Sequence, residues 1–398
     1  MTAIFTLTSK LHNEQSVAAA TQEFLSTLNF DYELKGSDYT SYGQHALNLI
    51  YVRTGGTEGV FLKLLPQLQR QSRQPFYLLT SGKSNSLAAS MEILSYLRQQ
   101  GLRGEIIHGD AAYISRRIQM LAKASEAMQT LNSCRLGIIG KPSDWLISSH
   151  ADAQVVRKAL GIELVDIPME EVIEESGTPQ VPQVEGRIVE SEMQGAEAIY
   201  HALKKIVQRH GLQGFTIRCF DLLTAVRNTG CLALARLNSE GIVAGCEGDV
   251  PAMLSMAIVN ALVGVSGFQA NPASINPETG QLLFAHCTIP LNMVERYEFD
   301  THFESGIGVG IRGYMKPGPV TIFKLSGDLK RSFVAEGELM RNEGNPGLCR
   351  TQQVIQLADP SQASILLNNP IGNHHIILPG HHAGLLRLMA ETAANNLE

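Results

Sequence analysis

Short apolar runs alternate with amphipathic segments through residues 1–168. Such runs fit buried strands, and the longer segments repeat their apolar residues at helical spacing. Strands that alternate with helices are typical of parallel βαβ units. The pattern therefore predicts doubly wound, flavodoxin-like parallel-sheet layers over residues 1–168, in one or two subdomains. The predicted strands are Leu47–Val52, Phe76–Thr80, Gly104–His108, Cys134–Ile139 and Glu163–Ile167.

The pattern changes after residue 168. Residues 169–189 are acidic and then proline-containing, which fits a linker between domains. A long helix is predicted over Glu190–His210, and beyond Phe268 short strands and glycine-rich turns follow one another with few helices. This second pattern favours an antiparallel barrel or sandwich. The predicted fold class is thus α/β, with a mixed α+β domain that contains an antiparallel β-barrel over residues 190–398.

The loops after the first strands carry polar side chains suited to ligand binding. Ligands of doubly wound sheets collect at the carboxyl ends of the strands. Lys83 and Asn85 lie in such a loop and are predicted to bind substrate. The Ser81-Gly-Lys-Ser84 stretch has the end of a phosphate-binding loop, but Tyr77 stands where that motif needs its first glycine. A turn followed by a helix cap is the better interpretation.

Composition and charge exclude several kinds of protein. The chain has 398 residues, of which 44% are hydrophobic, and a net charge of -6. A large core is therefore available, and the mild acidity argues against a nucleic-acid surface. The apolar stretch 250–268 is interrupted by polar residues and predicts a buried core helix rather than a membrane span. With no secretion signal at the amino terminus, we expect a soluble cytoplasmic protein that binds neither nucleic acids nor membranes.

Glu247 and His286 each end an apolar run in the second half of the chain. Polar side chains at strand ends that face a cleft are typical of metal or acid–base sites. A buried histidine on an apolar strand can also be purely structural. Asp249, directly before the helix predicted from Val250, is expected to cap that helix, which leaves Glu247 free to serve as a catalytic base or as a metal ligand.

A histidine-rich segment near the carboxyl terminus extends this prediction. It contains His374 and His375, and we expect one of them to share a divalent cation with Glu247 and His286. Neighbouring side chains of a strand face opposite ways, so only one of the two can do so. Neutral imidazole and carboxylate ligands suit Mn²⁺, Fe²⁺, Co²⁺ or Zn²⁺. His302 either donates a hydrogen bond to a substrate hydroxyl or is an exposed loop residue.

Four stretches between Gly230 and Gly384 follow the order and spacing of a known family. They are Glu247-Gly-Asp249 before an apolar helix, Phe268-Gln-Ala-Asn271, Pro277 to His286, and Asn373-His-His375. Together they resemble the carboxyl-terminal half of the L-fucose and L-arabinose isomerases. In that family a glutamate, a second carboxylate and a histidine hold Mn²⁺, and an aldose and a ketose are interconverted.

This resemblance implies roles for individual residues. Glu247 takes the place of the glutamate and His374 that of the histidine, while His286 matches an additional histidine of the arabinose enzymes. It also implies a Mn²⁺ cofactor or another divalent cation, a small sugar substrate and a homo-oligomer, either a trimer or a hexamer. The expected reaction is aldose–ketose isomerisation through an enediol of an open-chain pentose, deoxysugar or modified hexose.

Asn271 departs from the family pattern, because it stands at or near the second carboxylate. An amide cannot accept a proton at neutral pH, although it can bind a sugar hydroxyl. Asp249 could replace the missing carboxylate as a catalytic group, as could Glu58 or Asp144. A second reading is a non-catalytic sugar-binding or regulatory homologue. A third is a lyase or epimerase that uses the same enediol.

Overall fold

A computed structural model of the chain describes residues 1–177 and 190–397. The chain divides into two compact units, residues 1–129 and 130–398. The sequence predicts a boundary at residue 168 instead. The structure divides earlier because strands from both sides of residues 169–189 pair in one sheet.

The first unit contains a five-stranded parallel sheet. Its strand order is β2-β1-β3-β4-β5, an order found in doubly wound folds. Sequence patterning does not identify β1, although all of its residues are buried and it pairs with β2 and β3. The elements are β1 (Thr2–Leu7), α1 (Glu14–Ser26), β2 (Tyr32–Gly36), β3 (Leu47–Val52), α2 (Glu58–Gln71), β4 (Phe76–Leu79), α3 (Ser86–Gln99), β5 (Gly104–Ile107) and α4 (Ala111–Leu131).

The second unit begins with a four-stranded parallel sheet of order β7-β6-β8-β9. Residues 169–176, predicted to be part of a linker, form a helix because Met169 and Val172 bury one face in the core of this sheet. The rest of the predicted linker, residues 178–189, lies outside the described residues. The elements are β6 (Arg135–Ile139), α5 (Ala153–Leu160), β7 (Glu163–Ile167), α6 (Met169–Ser176), α7 (Glu190–His210), β8 (Gly214–Ile217), α8 (Cys219–Val226), α9 (Cys231–Ser239), β9 (Val243–Gly245) and α10 (Val250–Val263).

A closed antiparallel barrel completes the second unit, as the pattern after Phe268 predicts. Its strand order is β10-β11-β16-β15-β14-β17, and a separate hairpin joins β12 to β13. Alternate side chains such as Phe268, Ala270, Leu282 and Phe284 fill its core. The elements are β10 (Phe268–Ile275), β11 (Gln281–His286), β12 (Arg296–Asp300), β13 (Gly310–Tyr314), β14 (Gly318–Leu325), β15 (Ser332–Glu343), β16 (Thr351–Leu357), α11 (Ala363–Asn368), β17 (His375–Pro379) and α12 (Ala383–Asn395).

Helix α10 packs against the parallel sheet, at β8 and β9, and against the barrel, at β14 and β17. All its residues from Val250 to Val259 are buried. A helix covered on several sides needs no polar face, which explains the apolar sequence that we predicted to be a buried core helix. Among the described residues, no helix combines the length and apolar character that crossing a bilayer requires.

Candidate metal centre

Three side chains that are far apart in sequence meet where the parallel sheet and the barrel adjoin. Glu247 follows β9, His286 is the last residue of β11, and His374 directly precedes β17. One ligand atom from each residue lies within 4.8 Å of the other two. These are the three residues that the sequence predicts to hold a cation. The group is a carboxylate with two imidazoles, a donor set that suits Mn²⁺, Fe²⁺, Co²⁺ and Zn²⁺.

The alternation of side chains along the strand separates the two neighbouring histidines, so that only one of them faces the site. His375 shares the barrel interior with Ile377, and its ring packs against Phe284 and Phe333. His374 faces the opposite way, towards Glu247. Since His375 lies on the barrel face of the strand, the two-residue period leaves His374 on the face of the site.

Both candidate ligand histidines are oriented by a partner on the nitrogen that faces away from Glu247. The Nδ1 atom of His374 lies 2.9 Å from Oδ2 of Asp249, and Nδ1 of His286 lies 3.0 Å from Oγ1 of Thr288. The Nε2 atoms of both rings lie 3.5 Å from Oε1 of Glu247. Partners of this kind fix the tautomer and ring orientation of metal-binding histidines.

One buried atom of this group has no hydrogen bond within the described part of the chain. It is Nε2 of His374, whose side chain is fully buried. Oε1 of Glu247 lies 3.5 Å away, which makes the contact a long ion pair rather than a close hydrogen bond, and a bound cation would satisfy the nitrogen more fully. The donor atoms and this nitrogen together fit a divalent metal ion.

The charges of the three groups depend on one another. Burial alone would raise the pKa of Glu247, but His374 and His286 outweigh it and hold that pKa well below its usual range. Burial alone would lower the pKa of His374, yet Glu247 and Asp249 raise it to about 9. Burial lowers the pKa of His286, against the opposing hydrogen bond of Glu247. A cation at this position would take the place of the proton that Glu247 stabilises on His374.

The backbone at Glu247 is held in an unusual conformation. Its φ angle is 61°, in the left-handed region that residues other than glycine rarely adopt. Gln269 holds the preceding residue, since its Oε1 accepts from the Cys246 N–H at 2.8 Å and its Nε2 donates to the Cys246 carbonyl at 3.2 Å. Strain of about 1–3 kcal/mol at such a position is typical of functional sites.

Asp249 lies behind His374 rather than in a cavity. Its carboxylate is fully buried, caps α10 through the Ala252 N–H at 2.7 Å and lies 3.3 Å from the buried ammonium of Lys324. Burial would raise the pKa of Asp249, but Lys324 and His374 lower it to about 2. The cap is as predicted. Its position supports an orienting role for Asp249, and not the proton-transferring role considered from the sequence, because it is enclosed by Lys324, His374 and α10.

The cluster opens onto a narrow cavity and an adjoining wider cleft of about 560 Å³. Glu247 and Asn271 line both spaces. Five of the six cysteines, all free thiols, form much of the narrow cavity wall, and they give it a small, weakly polar surface. The residues shared by the two spaces are Phe220, Glu247, Asn271 and Glu304.

Two of the predicted substrate-binding residues lie in these spaces. Oδ1 of Asn271 accepts a hydrogen bond of 3.0 Å from Nδ2 of Asn373, and both amides line the cleft. His302 lines the narrow cavity, where its Nδ1 lies 3.0 Å from Oγ of Ser305. Burial, together with the charge of His286, lowers the pKa of His302 to about 4, so the ring is neutral at neutral pH.

The other two, Lys83 and Asn85, lie in the first unit. Lys83 pairs with Glu23 at 3.4 Å, and Asn85 precedes α3 with a φ angle of 60°. Their role in substrate binding stays a prediction. Glu58 also belongs to this unit, as the first residue of α2, and Asp144 pairs with Arg218 at 2.9 Å while its side chain remains 84% exposed.

Sequence analysis assigns no role in the site to three of its residues. Glu304 and Asn373 line the cleft, and Lys324 neutralises Asp249. A buried lysine in the apolar strand β14 is the one signal that could have indicated a hidden carboxylate partner. Glu304 carries no such signal, because its place depends on how the β12–β13 hairpin packs.

Comparison with known proteins identifies distant relatives, and those described below carry the same name. No family model matches the chain. It is 23% identical over 261 residues to a sulfoquinovose isomerase of Alkalicoccus urumqiensis, which covers 61% of this chain and 59% of that protein. It is 22% identical over 262 residues to a sulfoquinovose isomerase of Priestia aryabhattai, with the same two coverages of 61% and 59%. A sulfoquinovose isomerase of Clostridium sp. (strain MSTE9) is 26% identical over 222 residues, which are 52% of this chain and 48% of that protein. The chain therefore spans less than two thirds of the length of these relatives, all of which are named sulfoquinovose isomerase.

Proposed function

We propose that the chain is a metal-dependent aldose–ketose isomerase that acts on an open-chain sugar through an enediol. The observation that carries this proposal is the group of Glu247, His286 and His374, in which both Nε2 atoms are turned towards the carboxylate and Glu247 and His286 line the narrow cavity. The distant similarity to sulfoquinovose isomerases supports the same class of reaction.

A divalent cation held by these three residues would supply a Lewis acid that polarises the sugar carbonyl. The chain's own side chains fix the geometry around it. The carboxylate of Asp249 accepts a hydrogen bond from Nδ1 of His374. In the tautomer that binds a cation, Nδ1 of His286 donates to Oγ1 of Thr288, so that the Nε2 lone pair of each ring is left for the cation. Gln269 holds the backbone before Glu247 and thereby the direction of its carboxylate.

The remaining polar groups of the cavity suit an uncharged polyol. Asn271 and Asn373 present amide donors and acceptors to the cleft, and neutral His302 can hydrogen-bond a hydroxyl. No lysine or arginine is among the residues that line the two spaces in the described part of the chain. The part of the substrate bound there is therefore uncharged, as are C1 to C3 of any open-chain aldose.

A sugar panel tests this function. We expect one or more aldoses, with sulfoquinovose among those assayed, to yield the corresponding ketose when Mn²⁺ is supplied. Treatment with a chelator should reduce turnover by about 100-fold or more, and added Mn²⁺ should restore it. In D₂O the ketose should gain deuterium at C1 to the extent that the transferred proton exchanges with solvent.

Binding measurements on the same samples separate the alternative. Protein that binds a sugar and Mn²⁺ but leaves every aldose and ketose unchanged is a binding homologue, and the proposed activity is then wrong. Conversion that continues at the full rate in chelated, metal-free protein contradicts the metal dependence alone.

A further inference from the structure

Isomerisation needs a group that takes the C2 proton and returns it at C1. In the described residues the titratable groups that line the two spaces are five thiols, two histidines and two glutamates. Glu247 and His286 belong to the proposed cation ligands. The five thiols line the narrow cavity and not the wider cleft. Burial raises the pKa of the Cys231 thiol well above its usual value. Cys349 lowers the pKa of Cys287, but the Cys287 sulfur already accepts from the Arg350 N–H at 3.5 Å. His302 and Glu304 remain, and His302 is largely engaged by Ser305.

Glu304 stands at the tip of a well-anchored loop between β12 and β13. The carbonyl of Thr301 accepts from Nε of Arg350 at 2.7 Å, and the Gly306 N–H donates to the carbonyl of His302 at 2.9 Å. Gly308 packs so closely on Thr229 that a Cβ atom there would lie 2.8 Å from it. The loop therefore has a defined path, and Glu304 at its tip lines the same cavity as Glu247.

The Glu304 carboxylate is free to react. Among the described residues it has no hydrogen-bond or ion-pair partner, and it lies outside the group that can hold a metal ion. It lines both the narrow cavity and the cleft, so it meets a sugar bound beside Glu247 and can still exchange protons with water. Glu304 is an exposed residue, and the partial burial of its carboxyl group together with the charge of Glu247 shifts its pKa upward, in the direction that favours a proton carrier near neutral pH.

We propose that Glu304 is the catalytic base and acid of the isomerisation, in place of the carboxylate that Asn271 does not supply. This inference depends on the proposed function. The C2–H bond breaks and its proton moves to the Glu304 carboxylate, while the electron pair forms the C1=C2 bond of the enediol and the carbonyl pair moves to O1. Glu304 then gives the proton to C1, the C2=O bond forms, and the hydroxyl proton of O2 ends on O1. Atoms and charge balance without an added reactant.

Glu304→Gln tests this role, because it removes the base with little change in shape. We expect kcat to fall by about 10²–10⁴-fold, while KM and Mn²⁺ content stay within about threefold of wild type. Glu304→Ala should lose a similar factor and recover at least about tenfold with added formate, which can enter the vacated space and carry the proton. Glu278→Gln, in the exposed β10–β11 turn, is the matched control and should keep full activity.

The outcomes separate this role from the proposed function. If the wild-type chain isomerises a sugar and the Glu304→Gln variant does so at the same rate, the role of Glu304 is wrong and the proposed function stands. Loss of Mn²⁺ in the Gln variant, or no recovery of the Ala variant with formate, identifies a structural role and overturns it as well. A wild-type chain that converts no sugar overturns the proposed function itself, and with it the substrate on which Glu304 would act.

Discussion

Glu247→Gln is expected to purify with less than about a tenth of the Mn²⁺ bound by the wild type, and to lose turnover by about 10³-fold. The amide keeps the length of the side chain but removes the one negative charge among the three proposed ligands. Without it, His286 and His374 offer only two neutral nitrogens from a buried position. The measurement is metal content by mass spectrometry, together with initial rates on the sugar identified by the panel.

Glutamine at position 247 changes the charge of the side chain without changing the demand on the backbone. Glu247 has a left-handed φ angle of 61°, and glutamine bears the same backbone strain, so stability should change little for backbone reasons. Glu278→Gln serves again as the exposed control. A Glu247→Gln variant that binds Mn²⁺ with wild-type affinity would show that this carboxylate is not a ligand.

Asp249→Asn is expected to lower the free energy of unfolding by about 3–5 kcal/mol. The asparagine oxygen can still cap α10 through the Ala252 N–H, but the ammonium of Lys324 then has no counter-charge. Both side chains are 0% exposed, so water cannot replace the lost partner. Urea denaturation followed by circular dichroism measures the change.

Lys324→Met and the double variant complete a thermodynamic cycle. Lys324→Met should cost less than Asp249→Asn, because His374 still faces the Asp249 carboxylate at 2.9 Å. The double variant should be more stable than Asp249→Asn alone, since no buried charge is left unpaired. Additive losses would contradict a coupled pair. Arg341→Met, which breaks an exposed pair with Glu343, should change stability by less than about 1 kcal/mol.

Much of the architecture can be predicted from local patterns. Leu47–Val52 and Glu163–Ile167 are strands with the predicted limits, and Glu190–His210 is a helix over the predicted residues. These segments have strong apolar periodicity and clear ends. The prediction of a linker over residues 169–176 is wrong, because the acidic side chains there outnumber the apolar residues, such as Met169 and Val172, that form the buried face of a helix. The division of the chain after residue 129 depends on strand pairing between distant segments, which no local pattern contains.

The candidate site is predictable only in part, for the same reason. Glu247, His286 and His374 stand at element ends, where the sequence marks them as polar residues beside apolar runs, and the structure brings them together. The partners of these residues are set by tertiary packing. Lys324 meets Asp249 across 75 positions of sequence, and Glu304 reaches the cavity through the packing of a hairpin. The predicted trimer or hexamer stays a prediction.

Anomalous X-ray diffraction from crystals grown with Mn²⁺ tests the central claim most directly. Data collected on both sides of the manganese absorption edge locate the ion independently of any assumed ligands. The account predicts a peak in bonding contact with the Glu247 carboxylate and with Nε2 of both His286 and His374. A Mn²⁺ peak bound elsewhere in the chain, with no density among these three side chains at saturating Mn²⁺, would contradict it.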